Sequence, residues 1–312
     1  MKKLLLFEMK SIYRDNMRVY GYLFGADDLE SCDKTVAVVS GMRGNEYTQI
    51  YEASQLVKQL EIIESEGGIC EGRSILVIPV ANPYSVNSEK RFWPADNTDL
   101  NRMFPGYELG ETTQRAAASL FSALEGFRYG IHLTSHYISG NFVPHVSIQD
   151  TGRSYTESAK AFGLQYVRLR RPTFYDTTTL NYNWQIWETL AYSIYGGDDR
   201  TVDTEQSASV VNAILNFMDN KGVIRFDHHR GYISSVITDD DICTIKSEEA
   251  GFFRCCVKAG EVVHRDQKLA EILDTGDGHV KSEILSPSAG TVFFIHSSPL
   301  AFAKEQLMLL VK

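Results

Sequence analysis

Residues able to do chemistry gather at a few places along the chain. In the string GMRGNE, Arg43 and Glu46 set a guanidinium and a carboxylate close together, flanked by Gly41 and Gly44. Further on, DLNR places Asn101 beside Arg102, an amide next to a planar donor fork, which suits the grip of a carboxylate. His132 lies inside the run YGIHLTS, and His136 follows four residues later, on the same face if the strand continues. Arg168 and Arg170 share a face of a strand by alternation, with Arg171 beside them, and Glu205 stands in the string TVDTE before a helical pattern. Each also has a plain structural reading. Arg102 pairs with Asp99 or Asp96, and His132 is a satisfied core histidine. The arginines then line a solvated edge strand, and Glu205 or Thr204 complements a helix N-terminus.

The elements that position these groups can be read from periodicity. Residues 35–39 form a short apolar run of the kind buried in a parallel sheet, and Ser40-Gly41 breaks it. From Tyr47 onward Ile50, Ala53, Leu56, Val57, Leu60 and Ile63 recur at helical spacing. Arg43 and Glu46 therefore fall between the strand's carboxyl end and the helix, the edge at which open α/β sheets bind ligands. Residues 3–24 alternate as a hairpin around Arg14 to Asn16, and residues 74–80 read as a second buried strand. Residues 82–106 are irregular and rich in proline, a length of loop that is usually functional. A helix over 112–124, strands over 129–135, 165–170 and 190–195, and a helix to about Asp219 follow. Residues 175–187, dense in aromatics and hydroxyls, suit a pocket wall or an interface equally well. From Gly222 short alternating strands separated by Gly, Asp and Ser mark a small all-β module.

Several of these strings together resemble the succinylglutamate desuccinylase/aspartoacylase family, zinc deacylases related to the zinc carboxypeptidases. The family carries strand, Gly-x-His-Gly-x-Glu, helix, with the His and Glu as zinc ligands; Glu46 matches the glutamate, and Arg43 stands where the histidine would be. Asn82-Pro83 and DLNRMFPG at residues 99–106 match the family's Asn-Pro and its carboxylate-binding Asn-Arg pair. His132 matches the third ligand of Asp-Leu-His, although the aspartate two residues earlier is Gly130; FVPHV at 142–146 also corresponds. Glu205 matches the family's general base. The C-terminal pattern resembles a biotinyl/lipoyl-like barrel, and no lysine stands in the context that carrier domains modify.

What the resemblance implies is a mixed, mostly parallel α/β sheet with flanking helices over residues 1–222, carboxypeptidase-like, and a β module over 223–312. It implies zinc held by Glu46, His132 and a third ligand; with Arg43 in the histidine's place, His136, together with His145, offers a nitrogen that would have to substitute. It also implies Glu205 as the proton shuttle and Asn101 with Arg102 on the substrate carboxylate. Arg168 and Arg170 add positive charge to an anion pocket. A guanidinium stays protonated and offers donors only, so Arg43 cannot ligate the metal.

Composition narrows the remainder. At 312 residues, with 43% hydrophobic and 23% charged residues, the chain can bury a full core and is not disordered in composition. A net charge of −9 without a basic run argues against nucleic-acid partners, and no run approaches membrane-spanning length. MKKLLLFEMK starts like an export signal, but Glu8 interrupts the apolar run too early. The cysteines, Cys32, Cys70, Cys243, Cys255 and Cys256, include no CxxC pair and read as free thiols of a cytoplasmic protein. The expected partner is a small anionic molecule, and the β module either shapes or covers the mouth of the site or mediates formation of a homo-oligomer. Two functions follow. One is a zinc-dependent deacylase of N-acyl amino acids or small carboxylate-bearing peptides, and the other a metal-free binding protein for an anionic metabolite in which Arg43 neutralises Glu46. Metal-free catalysis, with Arg43 as electrophile and Glu205 as base, is a third, weaker option.

Overall fold

The computed structural model describes residues 1–13, 15–153, 155–198, 200–227 and 231–312. Strands β1 (Lys2–Met9) and β2 (Met17–Phe24) make the expected antiparallel hairpin, whose residue Arg14 lies outside the described residues. β3 (Val36–Val39) leads into α1 (Tyr47–Ser65), and β4 (Ile75–Ile78) into the short α2 (Pro83–Asn87). After α3 (Thr112–Leu124) come β5 (Tyr129–Leu133), β6 (Gly140–Gln149), the single turn α4 (Thr156–Ala159) and β7 (Tyr166–Arg170). Then follow α5 (Leu180–Ile186), β8 (Leu190–Asp198), α6 (Thr204–Asn220) and β9 (Ser235–Thr238). No helix among the described residues is long and apolar enough to cross a membrane.

The centre of the main sheet, β4-β3-β5-β8, is parallel, and β2 and β6 join it antiparallel on either side. Alternation divides the core in two. Val36, Val38 and Ile131 face α1 and α6 through Leu56, Leu60, Ile214 and Phe217, whereas Ala37, Val39 and Ile78 face α3 and α5 through Leu120, Phe121 and Trp184. Each fully buried aliphatic or aromatic side chain contributes about 1.5–3 kcal/mol, so the two layers fix the sheet and with it the edge beyond β3.

The C-terminal strands are β10 (Ile242–Lys246), β11 (Gly251–Cys255), β12 (Val262–Val263), β13 (Lys268–Leu273), β14 (Val280–Leu285), β15 (Gly290–His296), β16 (Leu300–Ala301) and β17 (Gln306–Val311). A separate antiparallel sheet β14-β13-β11-β16 packs over β15, β17 and β10 around Val263, Leu269, Ile272 and Leu310. The parts on either side of residues 222 and 223 are joined by hydrogen bonds: β9 pairs in parallel with β7, and β15 pairs with β6 at Phe294 and Phe142. The main sheet thus runs from the first hairpin into the β module.

Candidate functional site

At the carboxyl end of β3 the chain turns sharply, because Gly41 adopts φ +62° and a Cβ there would lie 2.8 Å from the Pro79 carbonyl oxygen. Gly44 passes even closer to α2 and the loop after it: a Cβ would stand 1.8 Å from the Ser85 carbonyl, and its N–H donates to the Lys90 carbonyl at 2.9 Å. This packing drives Arg43 and Glu46 inward. Arg43 is 4% exposed and Glu46 is fully buried at the start of α1.

Around Glu46 every contact is a donor. Its Oε1 accepts from the Ser135 N–H at 3.0 Å, the Ser135 and Thr134 hydroxyls at 3.1 Å each, and Arg43 Nη1 at 3.4 Å; Oε2 accepts the Arg43 N–H at 3.2 Å. Arg43 Nε donates to Asp99 Oδ2 at 3.0 Å, and its Nη1 donates to the Ser135 carbonyl at 3.1 Å. Asp99 also accepts from Arg91 at 3.3 Å and from the Asn101 N–H at 3.0 Å. Burial alone would lower the pKa of Arg43, but Asp99 and Glu46 outweigh it and hold it above the ordinary arginine value. By the same balance, burial raises Asp99 and the two arginines more than reverse this, leaving its carboxyl below its ordinary range. Both groups are therefore charged at neutral pH.

Above this network opens a cavity of about 710 Å³ at the carboxyl edge of the sheet. Its wall includes Arg43, Asn101, Arg102, His132, Arg168 and Arg170, so the structure brings together these predicted residues from the turn after β3, the segment before α3, β5 and β7. Asn101 is held by accepting the Leu180 N–H at 3.1 Å on its Oδ1, and Arg102 Nη1 donates to the Tyr175 carbonyl. Arg168 and Arg170 share the face that alternation predicts, but each is paired, with Asp239 at 2.9 Å and with both oxygens of Asp176 at 2.8 and 2.9 Å. Asp176 is drawn down to about 2: burial opposes this, and the Arg170 hydrogen bonds prevail.

His132 sits beside Val39 on one side and Ser193 on the other, buried, with Nε2 lacking a hydrogen-bond partner among the described residues. Burial, followed by Arg43, lowers its pKa to about 3. His136 lines the same cavity, but its Nδ1 accepts the Ile138 N–H at 3.3 Å and its ring lies against Phe142 and Phe294. His145, also on the wall, donates from Nδ1 to the Val143 carbonyl at 2.9 Å and stacks on Tyr195 with centroids 5.3 Å apart. Both histidines are neutral. Burial first, then Arg168, brings His136 to about 4 and His145 to about 3.

The expected zinc ligands do not come together as a metal site. Among the described residues no three of His, Cys, Asp and Glu are grouped so as to hold a metal ion, the expected set of Glu46, His132 and His136 included. The physical reason is Arg43. Its guanidinium bonds to Glu46, whose lone pairs are otherwise taken by Ser135 and Thr134, and offers no lone pair of its own. At Gly130, where the resemblance calls for an aspartate, a Cβ would stand 2.7 Å from Trp184 Cε3. An indole fills the space of a carboxylate that would orient His132. The donor set does not fit zinc.

Glu205, expected as the proton shuttle, lies apart from this cavity. It is exposed in the first turn of α6, where Asp203 caps its N–H at 3.0 Å, and it faces a different cavity, between α6 and the β module. The residue that β8 places on the cavity wall is Tyr195. It shares a face with Ser193 by alternation, which is the signal in the sequence that could have found it. Arg91 and Asp99 were also missed as site residues, and nothing in the irregular segment around them marks the pairing with Arg43.

Comparison with known proteins agrees with this architecture. Residues 32–181 match the family described as Succinylglutamate desuccinylase/Aspartoacylase catalytic domain. The N-alpha-acetyl-L-2,4-diaminobutyric acid deacetylase of Halomonas elongata is 24% identical over 252 residues, covering 77% of this chain and 70% of its own. The product-bound ectoine utilization protein EutE (DoeB) of Ruegeria pomeroyi superposes with a TM-score of 0.79 at 18% identity, over 95% of this chain and 89% of that one. A succinylglutamate desuccinylase/aspartoacylase of Rhodobacter sphaeroides does so with 0.77 at 20% identity, over 96% and 90%.

Proposed function

For a chain whose residues 32–181 belong to the succinylglutamate desuccinylase/aspartoacylase family, a family of deacylases, we infer that the deacylase cavity is used to bind a small carboxylate-bearing metabolite of the N-acyl amino acid class, without zinc. The observation that carries this reading is the Arg43 guanidinium hydrogen-bonded to Glu46 and Asp99 in the wall of an arginine-lined cavity. A permanent cation there satisfies two buried carboxylates that would otherwise be costly, and it takes up the lone pairs a metal would need. Arg102 and Asn101 supply the fork and the amide for the ligand carboxylate. The amide of an N-acyl group then meets neutral partners, Tyr195 and the neutral His145, that can exchange hydrogen bonds with it.

A second reading, zinc-dependent hydrolysis of the ligand's amide bond, is favoured by one observation: the buried His132 Nε2 that has no partner among the described residues. It requires Arg43 to release Glu46. Elemental analysis of the dialysed protein, beside calorimetry with N-acetyl amino acids, separates the two. Zinc well below stoichiometry together with saturable binding and no release of free amine is the expected result. Stoichiometric zinc with amine release would overturn the first reading in favour of the second.

A further inference from the structure

The cavity holds six arginines, yet its charge is nearly balanced. Arg43 and Arg91 are shared between Glu46 and Asp99, Arg168 pairs with Asp239, Arg170 with Asp176, and Arg171 with Asp240 at 3.1 Å. Arg102 is the exception among them. The only protein bond it makes among the described residues is to a neutral group, the Tyr175 carbonyl. One guanidinium is therefore left for a ligand to neutralise. A second ligand carboxylate would be drawn into a concave site where every other cation already has its anion, and would have to displace one of them or remain unpaired.

A different observation at the mouth of the same cavity sets the rest of the ligand. Tyr137 and Tyr175 line it and are 75% and 74% exposed, an unusual exposure for rings. They are nonetheless held by neighbours. The Arg91 guanidinium lies 5.0 Å from the Tyr137 ring centroid, and the Phe174 ring stands edge-on to Tyr175 with centroids 6.0 Å apart. Rings fixed around an opening offer apolar area at little ordering cost.

Resting on the reading above, we propose that the cavity selects a singly charged carboxylate with an aromatic or apolar tail, the carboxylate on Arg102 and Asn101 and the tail against Tyr137 and Tyr175. Dicarboxylates of similar size are discriminated against. The test is calorimetric titration of the full chain with N-acetyl-L-phenylalanine, N-acetylglycine and N-acetyl-L-aspartate at neutral pH and low salt. The phenylalanine derivative is expected to bind at least about tenfold more tightly than the aspartate derivative. Asp239→Asn, which frees Arg168, should narrow that gap several-fold by strengthening the aspartate derivative. Tyr137→Ala combined with Tyr175→Ala should weaken the phenylalanine derivative more than N-acetylglycine. Equal or tighter binding of the aspartate derivative by the unaltered protein would overturn the proposal, as would a preference that neither variant moves. Absence of heat with all three compounds would instead remove the carboxylate-binding reading itself, and the proposal with it.

Discussion

Arg43 turns a position that the resemblance reserves for a metal ligand into the centre of an ion network, and its stability consequence can be calculated in sign and rough size. Glu46 and Asp99 are both buried, and Arg43 is the cation common to them. Arg43→Met leaves Glu46 with neutral donors only and Asp99 with Arg91 as its one cation beside the Asn101 N–H, so a loss of about 3–5 kcal/mol in urea unfolding is expected. Asp99→Asn in the Arg43→Met background should return part of it. A loss under about 1 kcal/mol would mean that the network does not hold the turn. Arg43→His restores the metal-ligand type, and here the expected effect of added zinc on the melting temperature is small, because Trp184 denies His132 its orienting carboxylate. At this scale the sequence showed which residues carry chemistry but not all of their partners. Arg43 beside Glu46 was legible because they share one turn, whereas Asp99 lies 56 residues away and meets Arg43 only through the path of the loop. Glu205 lies apart from the cavity: a Thr-Glu string before a helix is also an ordinary N-terminus, and Asp203 is its cap.

Elements with strong periodicity formed where the pattern put them. The helix predicted over 112–124 is α3, and the apolar runs at 35–39 and 74–80 are β3 and β4 at the centre of the sheet. β6 and α5 were harder to see. Pro144 interrupts the alternation of β6 and sits where its pairing with β8 shifts register, between Phe142 and His145, so ten strand residues read as a turn and a short run. α5 is rich in Asn, Tyr and Trp, weak helix formers, and depends on the Thr179 hydroxyl accepting the Tyr182 N–H. That helix delivers Trp184 against Gly130, which gives an element-scale prediction. Gly130→Ala pushes a methyl to within 2.7 Å of the indole and should cost about 1–3 kcal/mol, with Trp184→Phe on the same background recovering part of the loss. Thermal unfolding of the two variants measures it, and wild-type stability in Gly130→Ala would show that Trp184 can yield.

For the molecule as a whole, joining β15 to β6 places the β module's strands directly beside the histidines of the cavity: Phe293 of β15 packs on His145, and Phe294 on His136. This continuity was not legible, since a change of pattern at Gly222 marks a change of architecture without revealing that hydrogen bonds cross it. It also makes the fold's stability sensitive to acid. His145 titrates near 3 in the fold, through burial in this aromatic setting, against 6.5 when free, and in the metal-free protein His132 and His136 shift the same way. A depressed histidine pKa means that the unfolded chain binds more protons. The stabilisation is full above about pH 6.5 and is lost as pH falls toward 4 and 3, by up to about 1.4 kcal/mol per pH unit for each histidine. Glu52, buried in α1 and pushed up by burial, works in the opposite sense, because the unfolded chain ionises it first as pH rises. The depressed carboxyls Asp99 and Asp176 lose their contribution only below their ordinary value of 3.8. Between pH 6.5 and 4.5 three histidines therefore stand against one carboxyl, and the net expectation is falling stability. Unfolding free energies measured across that range should drop, more shallowly in His145→Gln and more steeply in Glu52→Gln. A flat profile in the unaltered protein would mean that these rings reach water and protonate without opening the junction between sheet and module.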